Sequence, residues 1–111
     1  MATFITRGRL SAAAVKGLID KPEDRQQAVS NLVEAAGGKL LHYYMTTGDD
    51  DFLLICEADN GEAVIAALMA AAAAGTITDV ETSRAWTSAD FKSVAEKAGE
   101  VMATYKPPGQ D

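Results

Sequence analysis

The sequence predicts one α+β domain with the element order β-α-β-β-α-β, and three observations carry this. Short runs rich in β-branched and aromatic residues occur at four places. Apolar positions at three-and-four spacing lie between them, and glycine or proline breaks mark the boundaries. At 111 residues the chain suits a single hydrophobic core and is too short for two. Hydrophobic residues make up 48% and charged residues 23%, the balance of a chain that folds.

Thr3 to Gly8 reads as the first strand, and Ser11 is placed to cap a helix opened by Ala12-Ala13-Ala14-Val15. Asp20-Lys21-Pro22 interrupts that helix. A second helical piece is expected from Pro22, because proline suits a first turn and Glu23 and Asp24 complement the positive end of the dipole. Ala28, Val29, Leu32, Val33, Ala35 and Ala36 then recur at helical spacing, and Gly37-Gly38 supplies a left-handed cap.

Lys39 to Met45 and Asp51 to Ala58 form two strand-like runs joined by Thr46-Thr47-Gly48-Asp49-Asp50, a connection of hairpin length. Glu62 to Ala74 follows as an alanine-rich helix with Val64, Ile65, Leu68 and Met69 at helical spacing, closed by Gly75. Thr76 to Trp86 reads as a charged, edge-like fourth strand. Thr87-Ser88 caps a last helix near Ala89 to Ala103. Residues 1–104 are expected to form the domain, with Tyr105 to Asp111 as a frayed tail.

This order is that of the ferredoxin-like split βαβ unit, a four-stranded antiparallel sheet with its two main helices on one face. Strict alternation puts Leu40, His42 and Tyr44 on one face of the second strand and Leu41, Tyr43 and Met45 on the other. On the third strand, Phe52, Leu54 and Cys56 alternate with Leu53, Ile55 and Glu57. Both faces are largely apolar, so the face without helices needs a cover. A symmetric homodimer is the first expectation, and the C-terminal helix folded back over its own sheet is the alternative.

Thr3-Phe4-Ile5-Thr6, Gly37-Gly38-Lys39, Tyr43-Tyr44-Met45-Thr46-Thr47-Gly48, Asp51-Phe52 and Arg84-Ala85-Trp86 together resemble the GYD domain family over about residues 3–86. The resemblance implies a dimeric alpha-beta barrel, two ferredoxin-like sheets packed face to face, and no particular activity. The family's Gly-x-Tyr-Asp signature falls on Gly48-Asp49-Asp50-Asp51, with Asp50 in the tyrosine position.

A net charge of -6 is the wrong sign for nucleic-acid phosphates or anionic lipid, so neither partner is expected. No secretory pattern opens the chain and no apolar stretch reaches a membrane span, so the cytoplasm is the expected compartment. The single cysteine, Cys56, lies in the apolar run Phe52-Leu53-Leu54-Ile55-Cys56 and reads as a core thiol. Asp49-Asp50-Asp51 lacks EF-hand spacing and reads as a solvated acidic turn, and one histidine does not make a zinc site, so no metal or cofactor is expected.

The candidate ligand-binding residues are His42, Tyr44, Arg84 and Trp86. His42 can shuttle a proton, donate a hydrogen bond or ligate haem, and period two puts Tyr44 on its face. Arg84 and Trp86 share a face of the last strand, where a guanidinium holds a carboxylate and an indole walls an apolar cavity. Arg7 adds positive charge on the first strand. No phosphate loop, paired-cysteine motif or nucleophile constellation supports an enzyme, and no catalytic residue is assigned.

The expected function is a small dimeric ligand-binding or regulatory domain for an apolar or carboxylate ligand. One alternative is a cofactor-independent monooxygenase or isomerase of the dimeric alpha-beta barrel kind, with His42 as acid or base. The other is a structural or interaction subunit that docks through its C-terminal helix.

Overall fold

The computed structural model describes residues 1–110. β1 (Ala2–Leu10) leads to α1 (Ala12–Asp20), which starts where the Ser11 hydroxyl accepts a hydrogen bond from the Ala14 N–H. α2 (Gln26–Ala35) begins four residues later than Pro22. The expected start at Pro22 is therefore corrected. The Asp24 carboxylate accepts from the Gln26 N–H, so the first free donor of the helix is satisfied at Gln26 and residues 22–25 stay outside it. Gly37, at φ +97°, supplies the left-handed turn into β2 (Lys39–Met45).

β3 (Phe52–Ala58) returns antiparallel to β2, and α3 (Gly61–Ala73) starts at Asn60, whose side chain accepts from the N–H groups of Glu62 and Ala63. β4 (Ile77–Ala85) completes the sheet, and α4 (Ser88–Met102) is capped by Thr87. Residues 105–110 of the expected tail carry no helix or strand, and Asp111 lies outside the described residues.

The strand order is β2-β3-β1-β4, with every pair antiparallel. This is the ferredoxin-like arrangement, with an added C-terminal helix. Phe4, Thr6 and Gly8 of β1 and Phe52, Leu54, Cys56 and Ala58 of β3 are buried against the helices, where Val33 of α2 and Val64 and Ala67 of α3 meet them. The buried Thr6 hydroxyl shares a 2.8 Å hydrogen bond with that of Thr82, so it carries no unpaired polar atom into the core.

Register corrects the expected faces of β2. Leu40 pairs with Cys56 and His42 with Ile55, so Leu41 is an extra residue in a bulge. Leu40 therefore lies with Tyr43 and Met45 on the helix-covered face, and Leu40 and Tyr43 pack against the core. The opposite face is built of cross-strand rows. One runs His42, Ile55, Ile5, Ser83 and the next Tyr44, Leu53, Arg7, Glu81.

The alternative of a back-folded C-terminal helix is not what forms. Every residue of α4 is exposed, and the molecule extends 64 × 30 × 23 Å with a radius of gyration of 18.2 Å. A compact chain of this length has a radius near 13 Å. α4 thus stands out from the body as an arm, with Phe91, Val94, Val101 and Met102 exposed along it.

Candidate functional site

The four residues singled out from the sequence fall into two pairs. His42 and Tyr44 stack on the open face with ring planes 8° apart and centroids 5.9 Å apart, and the Tyr44 hydroxyl lies 3.5 Å from His42 Nδ1. Arg84 sits opposite Phe4, on the helix-covered face of the other edge strand. Its guanidinium lies 4.4 Å from the Trp86 ring centroid and 5.8 Å from that of Phe4. It also donates to the carbonyls of Thr3 and Ala85. Trp86 in turn meets Phe91 edge-on at 5.5 Å.

Phe4, Arg84, Trp86 and Phe91 therefore make a cation-aromatic stack at the root of α4. The chain brings His42 to Tyr44 and Arg84 to Trp86, and it sets the two pairs on opposite faces at opposite edges of the sheet. Arg7 stands on the open face across from Glu81.

Ile5, Leu53 and Ile55 occupy the middle of the open face and are only partly buried. Four strands about 4.8 Å apart, paired over about seven residues at about 3.3 Å per residue, present on the order of 400 Å² on that side. The charged residues of the face stand toward its ends, Arg7 across from Glu81 and Lys39 across from Glu57.

The acidic turn has a structural task. The Asp51 carboxylate accepts from the Leu10 N–H at 2.9 Å, its own N–H donates to the Gly8 carbonyl, and Arg9 Nε donates to the Asp49 carbonyl. Gly48 adopts φ +97°, where only glycine is unstrained. The signature glycine and aspartate therefore shape the hairpin and tie it to the end of β1. Among the described residues, no three His, Cys, Asp or Glu side chains are grouped to hold a metal ion.

Sequence reasoning missed the concavity under the helices. Between α1, α2, α3 and the covered face of the sheet lies a cavity of about 570 Å³. Phe52, Leu54 and Cys56 form its floor, alanines such as Ala14, Ala67 and Ala71 line its walls, and Lys21, Glu23, Arg25 and Tyr43 reach its lining. Its signal in the sequence was present: alanine on the inward faces of α1 and α3 leaves space where leucine would fill it. At about 24 cal/mol per Å³, a dry void of this size would cost on the order of 14 kcal/mol, as much as a whole domain's stability. The space is therefore an open cleft rather than a sealed void.

Burial raises the Cys56 thiol above its usual 9.0, which keeps it protonated and a poor nucleophile. Burial also raises Tyr43 above 10.0, partly offset by the positive charge of Arg25. Both groups bind their protons more tightly folded than unfolded. Their contribution is fully present below the unfolded values and is lost as pH rises through the folded ones. Stability is expected to be flat to about pH 8 and to fall above 9 in urea titrations at stepped pH, and Cys56→Ala with Tyr43→Phe should flatten that decline.

No helix among the described residues is long and apolar enough to cross a membrane. The chain matches no curated relative. The family model of the GYD domain matches residues 4–95, which takes in all of the sheet but the first two residues of β1, α1 to α3 and the first half of α4. With the hairpin glycine and aspartate in place and the ferredoxin-like sheet formed around them, the chain belongs to the GYD domain family.

Proposed function

We propose that the chain is a homodimeric, non-enzymatic binding or regulatory module. Two copies bring their open sheet faces together and enclose a small, partly apolar molecule beside His42 and Tyr44. The observation that carries this reading is the apolar centre of the open face, Ile5, Leu53 and Ile55, over which none of the chain's own described helices lies. Flanking charges, Arg7 with Glu81 and Lys39 with Glu57, give the face a polar rim, which is how interfaces are commonly built. Arg84 and Trp86 are outside this space, since they anchor α4 on the other face.

Sedimentation velocity and native mass spectrometry of the full chain test the reading. A dimer is expected, with Ile55→Lys weakening it by about a hundredfold or more, because a symmetric interface would bury two unpaired charges. A monomeric wild-type chain, or an Ile55→Lys dimer as tight as the wild type, would defeat it. A small molecule retained by the dimer should be lost in His42→Ala if it lies between the sheets.

A further inference from the structure

We propose that the cavity between the three helices and the sheet is a binding site for a single-tailed carboxylic acid. The tail would run over Phe52, Leu54 and Cys56 and the head would meet Lys21 and Arg25. The inference goes beyond the reading above and holds for one copy or two, because the cavity lies on the sheet face turned away from the proposed dimer contact.

Size comes first. About 570 Å³ falls within the 300–1,000 Å³ of small-molecule sites. The arm α4, even from a second copy, is too long and wide to be enclosed there. Its 15 residues make a cylinder about 22 Å long and 10–12 Å wide, on the order of 2,000 Å³. A small molecule is the occupant that matches this size.

The walls decide the body of that molecule. Three helices and all four strands contribute, and the side chains facing the space are overwhelmingly aliphatic. Such a lining gives water few hydrogen-bond partners and suits a hydrocarbon tail. Cys56 keeps its proton and belongs to the floor, so no covalent step is involved.

The charged residues decide the head. In a chain of net charge -6, the cavity lining carries two cations and one carboxylate. Glu23 is paired with Arg25 at 3.1 Å, which leaves Lys21 unmatched there and Arg25 with further donors in its guanidinium. The other nearby carboxylates are engaged elsewhere: Asp20 bonds Lys16 at 2.7 Å and Asp24 accepts from the Gln26 N–H. All three charged residues belong to the break between α1 and α2, where Lys21 and Glu23 are exposed and Arg25 is partly buried. Tyr43 stands by Arg25 as a neutral hydroxyl and can donate to the same head.

The probes are dodecanoic acid and its methyl ester, titrated calorimetrically into the full chain. Saturable binding of the acid is expected, with the ester weaker. Lys21→Gln with Arg25→Gln should weaken the acid about tenfold or more and leave the ester unchanged, because only the acid loses charge-assisted bonds. Ala71→Trp, which fills the cavity from α3, should abolish binding, and Ala14→Leu from α1 does so by a smaller intrusion if the first variant does not fold. Ile55→Lys should bind as the wild type does, which separates this site from the sheet-to-sheet space. No saturable binding, binding that survives both filling variants, or acid and ester binding alike would each overturn the proposal.

Discussion

Replacing Phe52 by alanine is expected to lower the unfolding free energy by about 3–5 kcal/mol, the range for a large aromatic removed from a core. Phe52 is 3% exposed, and its ring meets that of Tyr43 at 6.4 Å on one side and overlies Gly8 on the other. Its remaining side faces the helix-side cavity, so truncation enlarges an existing space instead of letting neighbours close in. That places the cost toward the upper end. Against a typical total of about 5–15 kcal/mol, much of the protein would be unfolded in mild urea. Urea melts of wild type and variant, compared at constant slope, give the difference, and a loss below about 1 kcal/mol would mean that the ring is not a keystone of the core.

Gly8→Ala should cost about 1–3 kcal/mol, through crowding rather than loss. A methyl group there would come within 2.7 Å of Val80 Cγ1 and 2.8 Å of Phe52 Cζ, distances that packed carbons do not adopt. Val80 is 39% exposed and can swing outward, whereas the Phe52 ring is enclosed. The cost should therefore persist in a Val80→Ala background and shrink in Phe52→Leu. A double-mutant cycle read from thermal or urea melts checks this, and equal relief in both backgrounds would mean that the ring is not what resists.

Most of the frame was legible because it rests on local signals. The Gly37, Gly48 and Gly75 turns all adopt positive φ, and the caps at Ser11 and Thr87 are made by the expected side chains. The onset of α2 was not legible, because Asp24 competes with Pro22 for the same task and wins through a hydrogen bond. The bulge at Leu41 left no trace in a run of apolar residues, so Leu40 was expected on the wrong face.

The candidate residues show the same limit. That His42 shares a face with Tyr44, and Arg84 with Trp86, follows from period two alone. Which face each pair occupies depends on register across four strands, and that is a long-range property. The cavity depends on where three helices settle, two of them alanine-rich on their inward faces, and that placement is a long-range property.

The two irregular strands are also the two outermost. β2 carries its extra residue at Leu41, and β4 is displaced where Arg7 pairs with Glu81 but Arg9 with Thr78, with Asp79 at φ +51°. A straight outer strand offers a ladder of free N–H and C=O groups on which further chains can stack without end. Here each ladder is broken partway along, so strand-by-strand growth into fibrils meets a mismatch at both margins of the sheet. The contact proposed between copies uses the flat of the sheet instead, where it would close at two.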